Sequence, residues 1–316
     1  MKVAITGGTG FVGSHLARAL LADGHEVVLV SRGVDRRDRS IRHAEGARFV
    51  AAASDDEDAL ARAFEGCATV AHCAGINRQI GRQTYARVHV AGTEAVVAAA
   101  RRAGVRKLVY MSFLRARPNC GSAYHETKWA AEEIVRASGL DYTVFKASVL
   151  YGHGDHLLEH LTRGFFTFPI FPLVGLRPRT MRPLVIHDLV RVMRAALVDP
   201  RLSRQTVAVV GPEELPIRDV VERVAAAVGR RPVVFRLPVF PHYAFAWVFE
   251  RAMTIPLVSI AQVRILSEGV SEATPPFIAL PLDLTPATTF SNASIRAELP
   301  PLGPFTLRDL RLFASR

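Results

Sequence analysis

The first fifteen residues constrain this chain more than any other stretch: Met1-Lys2-Val3-Ala4-Ile5-Thr6-Gly7-Gly8-Thr9-Gly10-Phe11-Val12-Gly13-Ser14-His15. Residues 3–5 are apolar and partly β-branched, which predicts a short buried strand ended by Thr6 and the Gly7-Gly8 pair. From Phe11 onward the apolar residues Leu16, Leu20 and Leu21 recur at helical spacing, so a helix opens near Phe11. Gly7, Gly10 and Gly13 lie between the two, a GxxGxxG run on a strand-to-helix turn. Such a turn has no room for side chains and lets the backbone approach a pyrophosphate. It also aims the free N–H groups of a helix start at that charge. A glycine triplet alone is weak evidence; the strand before it and the helix after it give it meaning. The stretch predicts a dinucleotide site built from Gly7, Thr9, Gly10, Phe11, Val12 and Gly13.

Beyond this turn the chain alternates. Residues 26–30 read as a second strand ending in Ser31-Arg32-Gly33. An acidic residue there would bind the ribose hydroxyls of NAD, whereas arginine accommodates the extra phosphate of NADP. Ser31 and Arg32, with Arg36 and Arg37 close behind, favour NADP(H) over NAD(H). Strands are expected over 48–52, 69–74, 107–111 and 141–147, with helices over 55–64 and 85–103. The fourth strand passes into Ala74-Gly75, a small pair that lets a cofactor lie against the backbone, and the fifth ends at Ser112. The alternation implies an α/β fold, a Rossmann-type doubly wound parallel sheet covered by helices on both faces. Residues 1–150 are expected to form this domain, with 182–212 returning to it, and 151–316 a smaller C-terminal lobe for substrate or partner.

A second constellation is Tyr124-His125-Glu126-Thr127-Lys128. On a helix Tyr124 and Lys128 lie one turn apart on one face. An ammonium beside a phenol lowers the phenol pKa and can also reach a cofactor ribose. A tyrosine so placed can pass a proton to or from a substrate oxygen while a nicotinamide exchanges hydride.

These residues together resemble an extended or atypical short-chain dehydrogenase/reductase of the NAD-dependent epimerase/dehydratase superfamily. The resemblance is carried by Gly7-Gly8-Thr9-Gly10-Phe11-Val12-Gly13, His72-Cys73-Ala74-Gly75, Tyr124 with Lys128, and Tyr151-Gly152-His153-Gly154-Asp155. Arg182-Pro183-Leu184-Val185-Ile186-His187-Asp188-Leu189-Val190 is similar to the family's P-V-H-V-D-D-V-A segment. The match spans nearly the whole chain and weakens after about Pro238. Within the family the chain is most similar to the branch of the nucleotide-binding accessory subunit of respiratory complex I. That branch implies NADPH binding, often structural rather than catalytic, with some members tied to quinone metabolism. The resemblance implies Tyr124 as acid/base, Lys128 as the ribose and pKa partner, and Ser112 as the residue that positions substrate. It also places Ala74, Gly75 and Ser148 against the cofactor.

Three departures stand out. Phe113 occupies the position where active members commonly carry a second hydroxyl, His89 replaces the asparagine of the middle helix, and Ala53 stands where an acidic residue usually meets the adenine, with Asp55 near. Two readings therefore stay open, with epimerase or dehydratase chemistry behind them. One is an oxidoreductase on a hydrophobic carbonyl, alcohol or quinone-related substrate. The other is a non-catalytic NADPH-bound scaffold.

The remaining features set bounds. A net charge of +11 is spread along the chain and rests mostly on arginine; nucleic acid is not the partner it favours. Cys67, Cys73 and Cys120 show neither metal-ligand spacing nor a paired framework, which fits a reducing cytoplasm. The longest apolar stretch, 237–249, is broken by Pro241 and His242 and falls short of the roughly 20 residues a spanning helix needs. Its continuation makes 238–257 rich in aromatics, expected to pack on the lobe or to meet a membrane surface or partner protein. Phe165, Phe166, Phe168 and Phe171 lie in a second aromatic stretch that could wall a pocket. His156-Leu157-Leu158-Glu159-His160 fits H-x-x-E-H, in which both histidines could reach a metal. The same stretch reads as the start of a helix, and no metal is expected.

Overall fold

The computed structural model describes residues 1–33, 40–253 and 256–310. Arg36 and Arg37 lie outside the described residues, and Leu307–Asp309 forms a single 3-10 turn. The chain divides into two units. The first holds Met1–Ala147, Ile186–Val209 and Glu272–Thr285; the second holds Ser148–Val185, Val210–Ser271 and Pro286–Arg316.

The first unit is built on a seven-stranded sheet. Its strands are β1 (Lys2–Thr6), β2 (Glu26–Ser31), β3 (Ala47–Ala51), β4 (Thr69–His72), β5 (Lys107–Phe113), β6 (Asp141–Ala147) and β7 (Gln205–Val209). They run in the order β7-β6-β5-β4-β1-β2-β3, and every pairing is parallel. β1 and β2 are buried on both faces, as their continuous apolar runs require: Val3, Ala4, Ile5 and Val27 to Val30 are each at most 2% exposed. The helices are α1 (Phe11–Ala22), α2 (Glu57–Phe64), α3 (Gly92–Arg102), α4 (Ala123–Arg136) and, after the chain returns, α6 (Ile186–Val198). α1 packs with α6, while α2, α3 and α4 pack together over one core with Val28, Val70, Leu108 and Val144. This is the doubly wound α/β fold. Its strand order reverses between β1 and β4, the switch point at which such sheets take ligands. The segment Glu272–Thr285 also joins this unit, with Ile278 bridging in parallel to Val207 of β7.

The second unit is described by itself. α5 (Leu157–Thr167) is capped by Asp155, whose carboxylate accepts the N–H groups of Gly152 at 2.5 Å and Leu158 at 2.7 Å. Ile170–Val174 pairs in parallel with Val233–Leu237. α7 (Ile217–Ala227), α8 (Val239–Ala252) and α9 (Ile260–Glu268) follow. α8 runs continuously through Pro241, because that proline sits in the first turn, where no intrahelical N–H bond is lost. α9 was not legible from apolar periodicity; a capping box between Ser259 and Gln262 starts it. No helix among the described residues is long and apolar enough to cross a membrane.

Candidate cofactor and acid–base site

The glycine run forms a tight turn at the switch point. Gly7 donates its N–H to the Val30 carbonyl at 2.8 Å, and Gly10 donates to the Gly7 carbonyl at 2.9 Å. Gly7 has φ +69°, and a Cβ there would lie 2.8 Å from the Ala74 Cα. A Cβ at Gly13 would lie 2.3 Å from the Gly7 carbonyl oxygen. Only hydrogen fits at either position, so the ends of β1 and β4 and the start of α1 are drawn together. Gly10 is the N-cap of α1 and offers no side chain to its first N–H groups. Those donors and the positive end of the helix dipole suit a pyrophosphate. The residues therefore fit a dinucleotide.

At the adenosine side, Thr9 donates its hydroxyl to Ser31 at 2.8 Å, and the neutral Ser31 ends β2 with Arg32 exposed directly after it. Among the described residues 31–33 of this strand end none is an acidic residue, the usual ribose partner of NAD. Asp55 does not stand in at the adenine side as a free carboxylate, since it accepts from Arg87 Nε at 2.5 Å.

α4 carries the Tyr124–Lys128 pair. Lys128 donates to the Met111 carbonyl at 2.9 Å, and its Nζ lies 3.2 Å from where a Cβ on Gly75 would be. The ammonium thus meets the turn that Ala74 and Gly75 form beside Gly7. Burial brings the Lys128 pKa down to about 8, with Cys73 and Glu132 pulling the other way. Tyr124 is half-buried among rings: Phe113 at 5.5 Å, and Tyr85, His89 and His125 each at 5.7 Å between centroids. The expectation that Lys128 lowers the phenol pKa is corrected here. Burial, with a further push from Tyr85, holds the Tyr124 phenol above its ordinary value.

Ser112 differs from expectation as well. Phe113 packs against Tyr124, whereas the Ser112 hydroxyl donates at 2.5 Å to Glu132, about two turns further along α4. Glu132 is fully buried and also takes Arg136 at 2.7 Å and the buried Lys146 at 3.1 Å. Lys146 in turn donates to the Ala116 carbonyl at 3.0 Å. Ser112 thus belongs to a buried ionic cluster and does not present its hydroxyl beside Tyr124. Ser148 lies in the second unit, buried, with its hydroxyl donated to Val270 at 3.3 Å.

Two histidines and a tyrosine complete the surroundings of Tyr124 and Lys128. His89 lies on a π-helical turn, Ala86–Ala91, a distortion often found at functional sites. Its Nδ1 is 2.9 Å from the Thr127 hydroxyl and its Nε2 3.1 Å from the Ile76 carbonyl, which ties α4 to the turn after β4. His72 bridges the hydroxyls of Thr6 at 2.6 Å and Thr93 at 3.1 Å. Burial, then the nearby Lys128, lowers His72 to about 3 and His89 well below its ordinary value, so both are neutral at physiological pH. Tyr85 stacks on His89 at 5.5 Å, and the spacing of the two, four apart on one helix, was the available signal.

The H-x-x-E-H stretch opens α5 as a helix start. The donor atoms of His156, Glu159 and His160 lie within 4.8 Å of one another. His156 Nδ1 at 3.8 Å and Arg163 Nη1 at 3.7 Å flank the Glu159 carboxylate, and the bond to His156 chiefly holds its pKa below the usual range.

Comparison with known proteins fits this geometry. A family described as NAD(P)H-binding matches residues 7–164. An uncharacterised protein of Mycobacterium tuberculosis is 27% identical over 84% of this chain, and the chain spans only 27% of that relative's length. The ceramide reductase of Caulobacter vibrioides is 31% identical over 75% of this chain and 73% of its own. The UDP-glucuronic acid 4-epimerase of Bacillus cereus, solved with UDP-glucuronic acid and NAD, superposes with a TM-score of 0.71 over 94% of this chain and 98% of its own. Its 18% identity is a likeness of fold. These comparisons do not single out the complex I branch. The chain belongs to the NAD(P)H-binding family and shares the fold of the epimerase.

Proposed function

We propose that this chain is an NADP(H)-dependent oxidoreductase acting on a hydrophobic carbonyl, alcohol or quinone-related substrate. The observation that carries the reading is the packing of two backbone turns with one ammonium against the second: Gly7 against Ala74, and Gly75 against Lys128, with Tyr124 one helical turn away. The glycine turn binds the pyrophosphate, Arg32 takes the 2′-phosphate, and Lys128 holds the nicotinamide ribose. A bound nicotinamide supplies or accepts the hydride. Tyr124, kept protonated by its raised pKa, donates its proton to the substrate oxygen in reduction and recovers it in oxidation. Rings of Tyr85, Phe113 and His125 around the Tyr124 ring favour an apolar substrate, and the relative named a ceramide reductase supports the same class.

A second reading has its own support. Phe113 fills the place beside Tyr124 where a substrate-polarising hydroxyl would stand, and Ser112 is committed to Glu132. That arrangement favours a protein that holds NADPH without turnover, as the complex I resemblance implies.

A paired titration with NADPH and NADH, followed by nicotinamide fluorescence, tests the cofactor. NADPH should bind more tightly, and Arg32→Ala should weaken NADPH by about 1–3 kcal/mol while leaving NADH nearly unchanged. Equal binding of the two nucleotides would remove the NADP assignment. Turnover of apolar ketones and quinones that Tyr124→Phe abolishes separates enzyme from scaffold.

A further inference from the structure

Helix α8 in the second unit has two unlike sides. His242 and Ala246 are buried, and Ala246 packs in a cluster with Val174 and Val263. The opposite side presents Phe240, Ala244, Phe245, Trp247, Val248 and Arg251 to solvent. Their spacing places them along one outer face at a period of 3.6. Phe240 is 75% exposed and Trp247 51%, far more than side chains of this size usually show. The helix holds one acidic residue, Glu250, and its carboxylate is turned to the start of α9, where it accepts the Ile260 N–H at 3.0 Å. The outer face is therefore apolar and carries no negative charge.

Both ends of the stripe are basic. At the C-terminal end the Arg251 guanidinium stacks 3.9 Å over the Trp247 ring. At the N-terminal end the Gly175 turn approaches Val239, and Arg236 donates to the Gly175 carbonyl at 3.4 Å and to that of Arg177 at 3.2 Å. This fixes Leu176, 64% exposed, and the exposed Arg177 beside the first turn of the helix. A second copy is a poor occupant: two such faces packed about a twofold axis set arginine against arginine. We infer that α8 is an interfacial helix that seats this protein on an anionic lipid bilayer. Phe240, Phe245, Trp247 and Val248 enter the acyl boundary, and Arg177, Arg236 and Arg251 meet lipid phosphates. The inference does not rest on the cofactor or the reaction.

The test uses the intact protein with vesicles of phosphatidylcholine, with and without phosphatidylglycerol. Co-sedimentation should occur with anionic vesicles, fall with added salt, and be weak with neutral ones. Phe240→Ser combined with Phe245→Ser should weaken it about tenfold or more, as should Arg177→Glu with Arg251→Glu. NADPH binding by each variant checks that it is folded. In the Trp129→Phe protein, Trp247 is the sole tryptophan and should be quenched by brominated acyl chains, a readout that needs no surface variant. Three results would overturn the inference: no binding to anionic vesicles, no quenching of Trp247, or a wild-type dimer that the phenylalanine changes dissociate.

Discussion

Lys128 lies against the Met111 carbonyl and beside the Gly75 turn, and burial brings its pKa from 10.5 down to about 8. The sign follows directly: the ammonium is charged below about pH 8 and is lost as pH rises through it. His72 and His89 stay neutral through this range, so they do not mask the change. NADPH affinity should hold steady from about pH 6.5 to 7.5 and decline above about 8, by up to roughly tenfold per unit. Lys128→Arg, charged throughout, should give weaker but level binding across that window. A level wild-type profile would detach Lys128 from the cofactor. The Tyr124–Lys128 spacing was plain in the sequence, because helical geometry alone fixes it. The pKa values were not, since they depend on burial by Tyr85 and His89 from one other segment and Phe113 from a second.

At the scale of elements, α4 serves two purposes along one face. Its first turns carry Tyr124 and Lys128, and a turn further on Glu132 enters the cluster with Ser112, Arg136 and Lys146. Both Glu132 and Lys146 are 0% exposed, so removing one charge strands the other. Glu132→Gln should cost about 3–5 kcal/mol in urea unfolding, and replacing both Glu132 and Lys146 with methionine should recover much of that. If Glu132→Gln unfolds like wild type, the cluster does not hold α4 to β5 and β6. The strands and helices of the first half were legible because apolar runs alternate with helical periods. The π-helical turn at Ala86–Ala91 and the passage of α8 through Pro241 were not, since each depends on local hydrogen bonding that periodicity does not record. The bond from Ser112 to Glu132 was equally hidden, because a motif position does not name the partner of its hydroxyl.

At the scale of the whole molecule, the parallel sheet and its switch point were readable from the order of elements. The contribution of Glu272–Thr285 to the first unit was not, because Ile278 adds one bridge to Val207 and leaves no periodic trace. β7 pairs with β6 over Gln205 to Val209, so a chain stopped after residue 150 bares the full edge of β6. Such a truncated chain should aggregate or associate during size-exclusion chromatography, and a monomeric, cooperatively unfolding fragment would show that β7 is dispensable.

The three-part origin of the first unit also governs when it can exist during synthesis. The nucleotide turn is made long before its sheet is complete: β7 follows it by about two hundred residues and the Ile278 bridge by about seventy further. Until both arrive, the nascent sheet carries an unpaired parallel edge, the kind of intermediate on which chaperones act. Mutations near Ile278, remote in sequence from every motif, would thus lower the yield of soluble protein before they altered any property of the finished fold.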